Sequence, residues 1–229
     1  MIVGHMFAPY WGPPNLPDTL VDNDIVLKLC QINHLHDLAD CLGSADTPLW
    51  ILGSLRFVLG PLIVQHADES MQALFHNFLA SAESLEPSDA EVVLAARLTE
   101  AAMRTGHAVD GGESLLFAVA LTRSARIATG DKRAVRGLAA IAGDEPGYDA
   151  LKGSIVTLEW IVSALVARHG HEGVRAAVCA VPGADCTLSI CFRCQGDVCT
   201  QADVTDALGS YQRSLSRETA GFVVPTLAF

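Results

Sequence analysis

Residues 19–52 read TLVDNDIVLKLCQINHLHDLADCLGSADTPLWIL. Thr19 to Asp22 reads as a short strand, and Ile25 to Cys41 carries apolar residues at helical spacing. The polar cluster Gly43 to Pro48 ends that helix, and PLWIL makes a second buried strand. Strand, helix and strand at this spacing form a βαβ unit, which requires a parallel sheet with a right-handed crossover. Asp22 then falls at the carboxyl end of the first strand.

The same alternation continues downstream. Residues 54–82 read as helix in two pieces, parted near His66 to Ser70. Ser88 and Glu91 stand in the S-x-x-E capping-box relation, and Gly106 suits a helix stop. Gly111 and Gly112 precede the helix ESLLFAVALTR. Ala125 to Thr129 (ARIAT) is a third strand candidate, followed at once by the helix DKRAVRGLAAIA. The pattern predicts an α/β three-layer sandwich around a central parallel sheet. The run Gly143 to Gly147 (GDEPG) is the best boundary, because beyond it the pattern changes to helices alone. Residues 1–145 are therefore expected to form the α/β domain, entered through the turn-rich GPPNLPD, and residues 146–229 a helical C-terminal extension packed on it.

Composition bounds the function classes. Half of the 229 residues are hydrophobic and 18% are charged, so a sizeable core is expected and wholesale disorder is not. The longest apolar runs, near 49–64 and 154–167, are broken by Arg56 and Glu159, which speaks against a membrane span. The opening MIVGHMFAPYWGPPNLP lacks the pattern of a secretory leader, and the expectation is a cytoplasmic protein. Seven cysteines, an odd number, suit a reducing compartment better than a disulfide framework. A net charge of −11 speaks against broad electrostatic capture of nucleic acid.

Three acids stand where a parallel sheet presents residues together. Asp22 ends the first strand, Glu113 opens a helix, and Asp131 lies just past the third strand. Ligand sites in open parallel sheets form outside the carboxyl ends of the strands. Carboxylates crowded there repel one another unless a cation neutralises them, and hard oxygen ligands suit Mg2+ or Mn2+. Such an ion activates water and steadies charge on a phosphodiester. Each acid also has a structural reading, since capping and helix-dipole effects place acids at these positions without any convergence.

At these residues the chain resembles the PIN-like (PIN domain) nuclease family. VDND is similar to the family's opening motif. DGGESLLFAVA is similar to its acid-plus-helix motif, with Ala120 seven residues after Glu113. ATGDKRAVRGLA is similar to its strand-end motif, with Thr129 two residues before Asp131. The resemblance covers roughly residues 19–142. It implies a metal-dependent endoribonuclease that hydrolyses RNA phosphodiesters, single-stranded RNA above all, and it implies frequent toxin–antitoxin partnership. On it Asp22, Glu113 and Asp131 are catalytic residues and metal ligands for Mg2+ or Mn2+. Thr129 supports them, and Asp24 and Asp110 are close enough to join. The chain departs from the family at the helix after the second strand. GSLRFVLGPLIV has Arg56 and no acid, and Glu69 beyond it substitutes only if the chain bends suitably. That departure makes a degenerate module, binding RNA or a protein partner such as an antitoxin or a second copy without cleavage, the alternative reading.

Arg123, Arg126, Lys132, Arg133 and Arg136 form a basic strip in which Asp131 is the single acid. Lys132 and Arg133, adjacent to that acid, are the expected phosphate contacts, against the plainer reading of a solvated helix face. Cys186, Cys191, Cys194 and Cys199 give a C-x4-C-x2-C-x4-C pattern with one short-spaced pair where structural zinc usually needs two, so little zinc is expected. His34 and His36 would point to different faces of a helix, and His169 and His171 flank a glycine at a helix end. Neither pair is expected to come with the acid or cysteine partners of a metal site.

Overall fold

The computed structural model describes residues 18–44, 48–145, 147–196 and 198–225. Most of the N-terminal GPPNLPD turn therefore lies outside the described residues. Five short strands form one all-parallel sheet: β1 (Thr19–Val21), β2 (Trp50–Leu52), β3 (Glu83–Leu85), β4 (Arg126–Thr129) and β5 (Ile155–Thr157), in the order β3-β2-β1-β4-β5. The order reverses between β1 and β4, whose register pairs Leu20 with Ile127 and Val21 with Ala128. That switch point opens a crevice at the carboxyl edge.

Strand residues alternate between two apolar layers. Val21, Ile51, Ala128 and Val156 face one side. Leu20, Leu52, Ile127 and Ile155 face the other. The first layer packs on α1 (Asn23–Gln31), α3 (Leu55–His66), α4 (Glu69–Ser81) and α8 (Leu158–His169), and the second on α5 (Asp89–Thr105), α6 (Gly111–Arg123) and α7 (Lys132–Ile141). This is the expected three-layer α/β sandwich, its helices added on both faces of the parallel sheet. After α8 the chain adds α9 (His171–Ala180), α10 (Cys186–Cys191) and α11 (Gln201–Glu218). No helix among the described residues is long and apolar enough to cross a membrane.

Four expectations change. The predicted helix Ile25 to Cys41 is three pieces: α1, a 3-10 turn at Leu35–Asp37, and α2 (Leu38–Cys41). Asn33 adopts φ +59°, a left-handed conformation that asparagine tolerates and that stops a helix. β3 escaped notice because it has three residues, of which Glu83 and Ser84 are exposed, as at a sheet edge. β5 lies in the segment expected to be helices alone. Its residues are buried on both faces and run straight into α8 through the Thr157 N-cap, so strand and helix read as one apolar run. The boundary at 145–146 therefore does not separate the sheet from the C-terminal helices. Finally, Cys179 and Cys194 are joined in a disulfide, where a reducing compartment was expected to suit the cysteines better than a disulfide framework, and Cys194 is thereby withdrawn from the four-cysteine pattern.

The chain closes the β5 edge with its own later residues. Ile155 pairs in parallel with Val223, Val224 N–H donates to Ile155 O at 2.9 Å, and Gly153 N–H donates to Gly221 O at 2.8 Å.

Candidate active site

The carboxyl ends of β1 and β4 open into a cleft of about 730 Å³. Its walls hold Asp22, Asp24, Asp110, Glu113, Asp131 and Asp185, with Lys28, Lys132, Arg133 and Arg136. Asp22 is the N-cap residue of α1, and its side chain caps nothing there. It accepts instead from Thr129 Oγ1 at 2.7 Å. Thr129 Oγ1 in turn accepts from Asp131 N–H at 3.2 Å, so one hydroxyl links the two acids across the β1–β4 junction. Burial pushes the Asp22 carboxyl above its ordinary range. Asp24 and Asp131 push it the same way, and the Thr129 hydrogen bond only partly offsets them.

Glu113 arrives from the opposite wall on the first turn of α6. Its N–H donates to Asp110 Oδ1 at 2.9 Å, and its carboxylate accepts from Asp110 N–H at 2.7 Å, a complete capping box. The capping reading of Glu113 is thus realised, with Asp110 as its partner, yet it does not exhaust the residue. Burial, together with the charges of Asp110 and Asp131 and a side-chain hydrogen bond with Asp131, pushes Glu113 up to about 7. Asp131 caps α7, accepting from the N–H groups of Arg133 at 2.8 Å and Ala134 at 3.1 Å. Burial raises the Asp131 carboxyl, but the Arg133 guanidinium at 3.1 Å and those N–H groups outweigh it and leave it below the ordinary range.

Two glycines make the assembly sterically possible. A side chain at Gly130 would start 2.1 Å from Asp24 Oδ2, so the Asp24 carboxylate occupies the space that glycine leaves. A Cβ at Gly137 would meet Val109 at 2.5 Å and the Ala108 carbonyl at 3.3 Å. The bare backbone lets α7 close on the loop that carries Asp110, which brings Asp131 toward Glu113. Asp24 Oδ2 is buried, receives no well-aligned hydrogen bond, and faces Lys28 Nζ at 2.9 Å.

Asp22, Glu113, Asp131, Thr129, Asp24 and Asp110 therefore come together as expected from their positions, but as a crowded wall rather than a closed chelate. The basic strip does not survive as such. Lys132, expected on phosphate, is turned to Glu159, whose side chain is 2% exposed, and to Thr187 Oγ1 at 3.0 Å. A buried carboxylate opposite β5 captures it before any solvent phosphate does. Arg126 is buried and donates to Thr19 Oγ1 and Leu42 O. Arg123 pairs with Glu91. Arg133, 78% exposed, and Arg136 remain at the cleft rim, paired with Asp131 and Glu218.

Sequence reasoning missed Lys28 and Asp185. Lys28 Nζ bridges Asp24 and Asp185, each at 2.9 Å, across 157 residues from the latter. Asp185 also caps α10, accepting from Leu188 N–H at 3.0 Å. Its only local signal was that capping position, in a segment read as an appendage, whereas α10 closes one wall of the cleft. The helix after β2 carries no acid into it. Arg56 is exposed and lies 4.9 Å from the Phe57 ring centroid, and Glu69 is the exposed first residue of α4.

The histidine expectation is also revised. His34 and His36 do not lie on one helix, because the chain turns at Asn33, and both face Asp37, as does His169 from the end of α8. No family model, curated protein or solved structure matches this chain.

Proposed function

We propose that the chain is a metal-dependent endoribonuclease of the PIN-like type, with Asp22, Glu113 and Asp131 holding Mg2+ or Mn2+. The observation that carries this reading is the convergence of three carboxylates, from the end of β1, the start of α6 and the end of β4, on one cleft. Two of them, Asp22 and Glu113, are pushed upward by burial and by neighbouring carboxylates, Asp131 acting on both. Such crowding is relieved by a cation, and an all-oxygen donor set favours a hard one. When bound, the ion would supply Lewis acidity to a phosphodiester and lower the pKa of attacking water.

The chain's own residues do the rest. Thr129 orients Asp22. The Asp110 cap fixes the first turn of α6 and with it Glu113. Arg133 and Arg136 at the rim offer guanidinium groups to phosphate and offset the acidic cleft locally. A cleft half open to solvent suits a single strand.

A second reading has its own support. Where the family pattern would put a further acid, α3 presents exposed Phe57, Val58 and Val64, a surface suited to a protein partner such as an antitoxin or a second copy. The test is a time course on labelled single-stranded RNA. Slow Mn2+-supported cleavage is expected, weaker with Mg2+ and abolished by EDTA. Asp22→Asn and Glu113→Gln should each lower it by about a hundredfold or more, the scale of losing one preorganised electrostatic group. Cleavage undiminished in Asp22→Asn rejects the site, and RNA or partner binding without cleavage selects the second reading.

A further inference from the structure

The edge of the sheet opposite the acidic cleft carries a second group of metal-ligating side chains. α1 leaves the carboxyl end of β1 and α8 leaves that of β5, so both return the chain to the amino edge. Twelve residues of α8 put that edge about 18 Å from the cleft. There Asp37, with a side chain only 5% exposed, is ringed by imidazoles. His34 Nδ1 lies 2.9 Å from Oδ2, His36 Nε2 3.2 Å from Oδ2, and His169 Nε2 2.9 Å from Oδ1. One ligand atom each from His34, Asp37 and His169 lie within 4.8 Å of one another.

We propose that His34, Asp37 and His169 bind a borderline divalent transition-metal ion, of which Zn2+ is the type, that the exposed His36, outside this group of three but 3.2 Å from Asp37, turns in as the fourth ligand, and that the ion ties the turn after α1 to the end of α8. Three imidazoles and one carboxylate are the donor set that zinc takes in preference to Mg2+. Zinc bonds of about 2.0–2.2 Å imply about 3.4 Å between tetrahedral ligand atoms, and the three N···O spacings lie within about 0.5 Å of that. Binding replaces the contacts to Asp37 by nitrogen lone pairs, so His34 and His169 move their remaining N–H to the other ring nitrogen. Access is open, because His36 is 57% and His169 35% exposed. The C-terminus of α8 also favours a cation.

The surroundings are mixed in charge. Arg168 lies 3.8 Å from Asp37 and pairs with Asp40 at 2.5 Å, which turns its charge partly outward. The buried Cys41 thiol nearby is pushed up to about 12 by burial and by Asp37. The alternative occupant is none, with Asp37 held by the imidazole hydrogen bonds alone.

The full chain, stripped with a chelator, is titrated with Co2+ and followed by visible absorption. Intense tetrahedral bands saturating at one equivalent are expected, displaced by Zn2+ and absent in His169→Asn. Zn2+ should raise the melting temperature of the wild type by several degrees and leave that variant unmoved, while Asp131→Asn in the cleft keeps both responses. Should His169→Asn fold poorly, His36→Asn, a change at an exposed side chain, must weaken Co2+ binding at least about tenfold. Only faint octahedral bands, sulfur-to-cobalt charge transfer, or a spectrum unchanged in these variants would overturn the assignment.

Discussion

Glu91 and Glu113 occupy the same position in the same local device, the third residue of a helix opened by a complete capping box. Their helices, α5 and α6, run antiparallel, so the two glutamates stand at opposite ends of one packed pair, with Thr99 bonded to Ser114 between them. Glu91 meets the end of α6, where the Arg123 guanidinium engages both its oxygens at 2.8 and 3.0 Å and Thr122 donates at 2.7 Å. Those bonds hold it down at about 2. Glu113 meets Asp110 and Asp131 and is pushed up to about 7. The capping motif is therefore silent about function. What separates a structural acid from a candidate ligand is the charge that tertiary structure brings to its far side.

The largest effect should come from emptying the satisfied end. Arg123→Met leaves the Glu91 side chain, 5% exposed, charged and without its cation, at a cost of about 3 kcal/mol in urea unfolding at pH 7. Glu91→Gln should cost less, about 2 kcal/mol, because the charge it leaves, the Arg123 guanidinium, is 28% exposed and still donates to Glu86 O. Glu91 is held below its ordinary 4.5, so its stabilisation is present above that value and lost as pH falls toward about 2. Wild type and Glu91→Gln should therefore converge in acid. A gap that persists at pH 2 would show that the ion pair is not its source.

The crowded end should respond with the opposite sign. Glu113 is raised, so its contribution is full below 4.5 and lost as pH rises through about 7. In metal-free protein at pH 8, Glu113→Gln should gain about 1 kcal/mol, a figure reduced for its partial exposure. Millimolar Mn2+ should raise the melting temperature of the wild type by a few degrees, with the rise blunted in Glu113→Gln and in Asp131→Asn. Equal shifts in all three proteins would mean that the cleft holds no ion.

The smallest effect compares the caps themselves. Ser88→Ala and Asp110→Ala each remove a side-chain cap worth about 1 kcal/mol. Only the second also removes a charge that opposes Glu113. Side-chain NMR titration should show the Glu113 midpoint falling in Asp110→Ala, whereas Ser88→Ala leaves it in place.

Much of this was legible in the chain, for identifiable reasons. Asp22, Glu113 and Asp131 each sit beside a local signal, a strand end or a cap, and the parallel topology implied by residues 19–52 brings such positions to one edge. The capping boxes and Gly106, found at φ +73°, are written within a few residues. Lys132 was misread because its partner, Glu159, comes just after a strand that the apolar run around Ile155 conceals. Asp185 meets Lys28 across 157 residues and His169 meets Asp37 across 132, for which no spacing rule exists, whereas His34, His36 and Asp37 are neighbours in the chain.

The two borders of the sheet are finished by different means, and this bears on what the protein does when it is cut or stretched. β3 is blunted by its own brevity and by outward-facing Glu83 and Ser84. β5, buried on every residue, relies on a borrowed cover, the backbone of residues 221–224 laid along it. Trimming the chain before Gly221 would bare a hydrophobic ladder with open N–H and C=O groups, a template for intermolecular pairing. Residues 221–224 act as a seal against aggregation, and the sealed strand is the one that hands the chain to Glu159, the anchor of Lys132.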